Sequence, residues 1–542
     1  MMSQRTVLTA LVGFLAIATV ACDGGGDSQP SATPQPDGAE TPGLPPTPNG
    51  TATEDAGART IDLATASPLT VVYAVEEGDL LSDQPGLAAG DFNGDGIDDI
   101  LIGARFADGP DGREDSGAAY IVLGSQGPPD AIDLAEEQQE MTIIGARPGD
   151  GLGFSAAAAD LDGDGIDDIV VGAPFAGPHD LLLSKQGRVY VFFGRPDLPD
   201  SVDLATDTAD LTLAGTSSNG FFGDSLAAGD VNGDGTADLI VGATFDSYTP
   251  QDGASVRGGA MYVFLGREAW RQELTAGDAD IVLLGADDLD ELGDFVTSGD
   301  INGDGIDDII GTAEAADGPD NTRDVAAEVH VLFGGTDVKG TFEIARDQQD
   351  FTVYGARDRD TLGFSLATGD LDGDGIDELV MGARLASASD NADDRSGQVY
   401  VLYGRRDLPA EVDLASPPEF VGAFLGARPS DFLGTSGAVA GLGDNDANQL
   451  IMGSIFADAP NRRDAGAVYI SEPAALRGAL PVMGEALRVV IYGAATGDRL
   501  GANVIAADFN GDGRLELIVV AEGAAGPDES RAGAGRIYVI AP

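Results

Sequence analysis

The chain has 542 residues, enough for several domains or one large repeat architecture, and 92 acidic against 29 basic residues leave a net charge of −63. That balance excludes the basic footprint of a nucleic-acid binder and electrostatic docking on anionic lipid. A hydrophobic fraction of 43% is still enough to build a large core, which separates the chain from acidic disordered sequences.

Taken in order, residues 1–5 form a short basic stretch and 6–21 an apolar run ending in small residues. The run is too short for a comfortable membrane span and has the layout of a signal peptide. The single cysteine, Cys22, rules out an intrachain disulfide. Thr19-Val20-Ala21-Cys22 resembles a bacterial lipobox, with Thr19 where leucine is usual. The expectation is a signal peptide over 1–21, cleaved before a lipid-carrying Cys22, with ordinary secretion as the alternative. Residues 22–59 are rich in Gly, Ser, Pro and Thr and read as a flexible tether. No later segment is apolar enough to span a membrane, so contact with a membrane is expected only through the lipid. The folded part is expected over 60–542.

A strand-like run at 69–75 opens that part, and behind it one unit recurs. Its marker is an acidic nine-residue loop beginning at Asp91, Asp160, Asp230, Asp300 and Asp370, in altered form at Gly441, and again at Asp508, at intervals of 67 to 71 residues. A near-constant period means one supersecondary unit used seven times. In the second unit, strand-like runs fall at 141–146, 153–159, 169–173 and 188–194, with equivalents of the last at 119–124, 398–404 and 536–540. Four strands repeated seven times predict an all-β, seven-bladed β-propeller. The run before the loop is small in several copies, as in Ala156 to Ala159, which suits the crowded innermost strand. The run 141–146 then belongs to the outer edge of the preceding blade. The last blade lacks that strand, so 69–75 is predicted to pair with 536–540 and close the ring, hiding two open edges.

The loop itself has metal-binding chemistry. A hard cation such as Ca²⁺ takes six to eight oxygens, and alternate residues of a tight loop can supply them, with glycine permitting the turn. Side-chain oxygens are available at positions one, three, five and nine, and a backbone carbonyl at position seven. The candidate sets are Asp91, Asn93, Asp95, Ile97 and Asp99; Asp160, Asp162, Asp164, Ile166 and Asp168; and Asp230, Asn232, Asp234, Thr236 and Asp238. They continue with Asp300, Asn302, Asp304, Ile306 and Asp308; Asp370, Asp372, Asp374, Ile376 and Glu378; and Asp508, Asn510, Asp512, Arg514 and Glu516. In the altered copy, Gly441, Gly443, Asn445 and Gln449 hold the side-chain positions, Asp444 and Asp446 fall at the alternate spacing, and no calcium is expected. About six structural Ca²⁺ ions follow, stabilising the fold by binding it in preference to the open chain.

The unit resembles the FG-GAP repeat, found in the N-terminal propeller of integrin α subunits. The second copy carries Gly153-Phe154 before the loop and Gly172-Ala173-Pro174 after it. Other copies drift: Asp83-Gln84 replaces the Leu-Gly pair in the first, and Thr312 stands for a glycine in the fourth. The resemblance implies calcium loops on one face and ligand contacts on the other.

His330 occupies the place of Tyr120, Tyr190, Tyr262, Tyr400, Tyr469 and Tyr538, which argues for packing; His179 stands alone in a loop. Trp270, the sole tryptophan, is placed at the outer rim as a packing residue. Arg113, Arg323, Arg462 and Arg531 lie seven residues before that aromatic position, and Arg257 and Arg395 five before it. They form either a basic collar for an anionic ligand or pairs with nearby carboxylates such as Asp115 and Asp394. With no nucleophile elbow, phosphate loop or zinc motif, the leading expectation is a monomeric, surface-anchored, non-catalytic module binding a protein or polysaccharide. A polysaccharide lyase or hydrolase and a surface-layer spacer are the alternatives.

Overall fold

The second strand of each unit shows why the chain folds as sheet. Ile100 to Ile102, Ile169 to Val171, Leu239 to Val241 and Leu517 to Val520 are apolar on both faces and buried, the pattern of a strand covered on both sides. A computed structural model describes residues 58–541 apart from 77, 80, 82–84, 178–183, 250–252, 254, 388–393, 444–446, 472–477, 482–486 and 528–530. The expected signal peptide, Cys22, nearly all of the tether, Asp83-Gln84, His179, and Asp444, Asn445 and Asp446 lie outside the described residues.

Among the described residues the strands form seven sheets, the blades of a propeller. In blade 2, Ala156–Ala159, Asp168–Ala173, Arg188–Phe192 and Leu211–Ala214 run antiparallel in sequence, innermost first. The four expected strands are present, and Glu273–Thr275 adds a fifth in parallel to Leu211–Ala214. That fifth strand comes from the connection between the third and fourth strands of the next blade. It covers an outer edge that would otherwise offer a row of unpaired N–H and C=O groups. The run at 141–146 lies where expected, with Met141–Ile144 paired to Ala118–Val122 of blade 1.

The ring closes as predicted. Thr70–Tyr73 is antiparallel to Arg536–Ile540, Thr70 opposite Val539 and Tyr73 opposite Arg536. A second closure was not foreseen: Arg59–Asp62 adds in parallel to Leu487–Tyr492. Ile100, Ile102 and Tyr120 of blade 1 share a core with Ile518, Val520, Ile537 and Val539 of blade 7, and packing therefore continues across the junction.

Blades approach each other closely at paired glycines. A Cβ on Gly103 would lie 2.0 Å from the Gly153 carbonyl oxygen of the next blade, and one on Gly172 would lie 2.2 Å from that of Gly223. No side chain fits there, and Gly153 also holds φ +83. Ser155 Oγ donates to Gly223 O at 2.6 Å, using the bare backbone as an acceptor. In the fourth copy Thr312 replaces the glycine, and its hydroxyl donates to Gly363 O at 3.0 Å, so the drift is absorbed by a new bond.

Candidate metal centres

The acidic loops connect the first and second strands of their blades, and six share one internal pattern. The first carboxylate accepts the N–H groups of positions five and six: 3.0 and 2.8 Å at Asp91, 3.1 and 2.8 Å at Asp160, and 3.0 and 2.8 Å at Asp230. Asp300, Asp370 and Asp508 repeat it. The position-five carboxylates of Asp95, Asp164, Asp234, Asp304, Asp374 and Asp512 accept from the N–H groups of Ile97, Ile166, Thr236, Ile306, Ile376 and Arg514. Local sequence makes this fold: Asp tolerates short side-chain-to-backbone bonds, and the glycines at positions four and six carry positive φ, for example +77 at Gly163 and +90 at Gly165.

The position-nine carboxylate lies at the base of the loop. Asp168 accepts from Leu161 N at 2.9 Å and Gly194 N at 2.9 Å. Asp99, Asp238 and Asp308 repeat both bonds. Burial pushes Asp99, Asp168 and Asp238 up to about 7 and Asp308 and Glu378 up to about 8, and the neighbouring loop carboxylates add to the shift. Glu516 is raised by the same causes to about 7. A divalent cation would favour the charged form of each group.

Two loops differ in donor chemistry. Carboxylate oxygens of Asp160, Asp162 and Asp168 lie within 4.8 Å of one another, as do those of Asp370, Asp372 and Asp374. In the other four, asparagine stands at position three and its amide approaches position nine, as from Asn302 Nδ2 to Asp308 Oδ1 at 2.8 Å and Asn510 Nδ2 to Glu516 Oε1 at 2.5 Å. Asn93 and Asn232 make longer contacts of the same kind. In the Asp160 and Asp370 loops the converging donors are carboxylate oxygens, so the set fits a hard cation. In the altered copy, Gln449 Nε2 donates to Leu442 O at 3.2 Å, placing a donor where the other loops have an acceptor.

Position eight was missed by the sequence reading. Asp167 Oδ2 accepts from Asp91 N at 3.0 Å, while Asp167 N donates to Asp91 O at 3.1 Å. The last part of one loop thus clasps the position-one aspartate of the preceding blade's loop. Asp98, Asp307 and Asp377 do the same to Asp508, Asp230 and Asp300. A second aspartate beside position nine in most copies was the available signal.

The opposite face holds the arginines, in a different arrangement from either reading. Arg113 is bidentate to Asp203 at 2.6 and 2.7 Å, Arg531 to Asp133 at 2.9 and 2.8 Å, and Arg323 to Asp413 at 2.8 and 2.5 Å; Arg462 reaches Asp62 at 2.5 Å. Each aspartate ends a fifth strand and also accepts the N–H two residues on, for example Ala205 N at 3.0 Å. These four arginines grip the lent strand rather than lining a mouth, and their partners are not the Asp115 or Asp394 expected from sequence. The signal was present as Ile/Val-Asp-Leu-Ala at 61–64, 132–135, 202–205 and 412–415. Arg257 stacks over Phe245 at 5.0 Å, and Arg395 N approaches Ser387 Oγ at 3.4 Å.

The remaining candidates settle as packing. His330 is buried, with Nδ1 3.1 Å from Thr352 Oγ1 and Nε2 3.2 Å from Glu328. Trp270 packs against the core between blades 2 and 3, and its Nε1–H donates to Leu161 O in the second acidic loop at 3.2 Å. In blade 4, where Thr312 stands for a glycine of the repeat, Asp294 and Glu314 share a hydrogen bond, and burial with Glu314 raises Asp294 well above the carboxylate range.

Five stretches match the FG-GAP repeat family: residues 85–122, 152–192, 222–264, 362–402 and 500–540. Each covers the three inner strands of a blade, and the unmatched copies are blade 4 and the blade with the altered loop. Phosphatidylinositol-glycan-specific phospholipase D of Bos taurus is 29% identical over 210 residues, 38% of this chain and 24% of that protein. Integrin alpha-5 of Xenopus laevis is 30% identical over 184 residues, 33% of this chain and 15% of that protein. Integrin alpha-PS2 of Drosophila melanogaster is 32% identical over 207 residues, 37% and 13% respectively. The chain therefore covers a quarter or less of these relatives.

Proposed function

Because the chain is an FG-GAP repeat protein similar over its repeats to integrin α subunits, we propose that it is a calcium-stabilised, non-catalytic binding module held at a cell surface. The carrying observation is the repeated oxygen donor set, clearest where Asp160, Asp162 and Asp168 converge within 4.8 Å. Position one, three, five and nine side chains of six loops hold the ion. When bound, Ca²⁺ supplies positive charge that offsets crowded carboxylates and ties the first two strands of each blade together. Recognition of a protein or polysaccharide then falls to the face away from the loops, where arginine clamps order the connections.

Surface attachment follows from the expected lipid at Cys22; among the described residues no helix is long and apolar enough to cross a membrane. An array of glycans and matrix proteins, probed with and without chelator, tests the reading. Calcium-dependent retention with ligands left intact supports it, and retention that ignores calcium removes the metal's role.

A second reading, a propeller-based lyase or hydrolase, has one observation in its favour, the hydrogen-bonded carboxyl pair Asp294 and Glu314. Product release from a polysaccharide, abolished by Asp294→Asn in a protein that still folds, would favour it over a binding module.

A further inference from the structure

The seven loops of the ring are not separate hairpins. Five of their junctions carry position-eight contacts, and these contacts are unevenly distributed around the ring. Between loops 7 and 1, Asp98 accepts from Asp508 N at 2.8 Å and donates to Asp508 O at 3.2 Å. Between loops 1 and 2, Asp167 makes the same pair of bonds with Asp91 at 3.0 and 3.1 Å. Between loops 3 and 4, Asp307 clasps Asp230 at 3.0 and 3.2 Å, and between loops 4 and 5, Asp377 clasps Asp300 at 3.2 and 2.9 Å. Asn448 keeps one bond of this type, from its amide to Asp370 O at 2.9 Å. At the junction of loops 2 and 3 the place is taken by Ala237, and at that of loops 6 and 7 by Leu515, neither of which has a carboxylate to offer.

We infer that Asp98, Asp167, Asp307 and Asp377 are positioning residues that couple calcium binding between neighbouring blades, and that the ring divides into two cooperative groups, loops 7-1-2 and loops 3-4-5. This rests on the calcium reading proposed above. Each of these residues is followed directly by a position-nine carboxylate, a ligand of its own loop. Its carboxylate and N–H hold both backbone groups of a position-one aspartate, a ligand of the loop before. An ion that orders position nine in one loop therefore orders position one in the other. The second ion then pays less of the ordering entropy, which is positive coupling without a large movement. Such coupling is reciprocal, and its usual size is about 5- to 150-fold in affinity.

Trp270 provides a local reporter, because its indole N–H is bonded to Leu161 O inside loop 2 and the chain has no other tryptophan. The experiment uses the full chain stripped with chelator and titrated with Ca²⁺ alone, followed by tryptophan fluorescence and by calorimetry. Asp95→Ala removes a ligand from loop 1 only. It is expected to raise the calcium midpoint seen at Trp270 by about tenfold. In an Asp167→Ala background the same substitution is expected to have no further effect. Asp167→Asn keeps an acceptor oxygen for Asp91 N and is expected to restore the coupling, which separates the hydrogen bond from the charge. The inference is overturned if Asp95→Ala leaves the Trp270 midpoint unchanged. It is also overturned if the shift persists undiminished in Asp167→Ala. A wild-type chain that releases no heat and shows no fluorescence change with Ca²⁺ would instead overturn the calcium reading itself.

Discussion

At the scale of single residues, charge count separates loops that share one fold. Loops 2 and 5 present four carboxylates, through Asp160, Asp162, Asp164 and Asp168 and through Asp370, Asp372, Asp374 and Glu378, whereas the other four use an asparagine. Affinity for calcium is tuned by such differences. Asp162→Asn should weaken the Trp270-reported site by about tenfold and bring it to the class of the asparagine loops; an unchanged midpoint would mean that Asp162 does not reach the ion. The arginine clamps are a second residue-scale device. Arg113 and Asp203 are largely shielded, with side-chain exposures of 12% and 28%, and both forks of the guanidinium are used. Asp203→Ala should cost about 1–3 kcal/mol, the range for a charge-assisted bond whose partner is left half-buried. Denaturant unfolding measures it, and a loss under half a kilocalorie per mole would class the pair with ordinary surface bridges.

At the scale of the element, the lent strand explains both the unit length and the closure. A period of about 70 residues is long for four short strands, and the excess is the connection that crosses to the previous blade as a fifth strand. Three-residue strands such as Ala131–Asp133 have too few positions for a period-two pattern, so they went unread although the Asp-Leu-Ala run that ends them recurs. The N-terminal strands obey the same rule from the other end of the chain. Thr70–Tyr73 completes blade 7 and Arg59–Asp62 completes blade 6, with Arg531–Asp133 and Arg462–Asp62 as the clamps beside them. Val72 is fully buried in that seam. Val72→Asp should destabilise the whole ring by more than about 3 kcal/mol, as an unpaired buried charge does. Limited proteolysis would then cut near the N-terminal seam first; a wild-type cleavage pattern would show that the ring does not depend on this closure.

At the scale of the whole molecule, a large negative charge and many buried carboxyls oppose one another's ionisation, and metal and pH act on the same balance. Away from the acidic loops, burial raises Asp150 and Asp290 to about 6, Asp360 and Asp431 to about 7, and Asp224 to about 8. A carboxyl raised on folding contributes stability that is complete below its unfolded value near 4 and is lost as pH climbs through its folded value. The thermal midpoint in chelator should therefore fall between about pH 5 and about pH 8. A midpoint that rises over that window would show these groups to be solvated. Adding Ca²⁺ at about pH 8 should raise the midpoint, since each site held at a hundred times its dissociation constant contributes about 2.7 kcal/mol.

The sequence by itself determined the period, the strand class, the acidic loops and the closure of blade 7, because each rests on residues close together in one unit or on a strand left without a partner. Only the tertiary structure decided where the side chains reach between units. The fifth strands, the Arg–Asp clamps, 90 residues apart in two cases and 398 and 400 in the others, and the position-eight clasps all join segments that become neighbours once the ring is closed. No local pattern encodes a contact whose two halves lie on different blades, even when each half recurs in plain view.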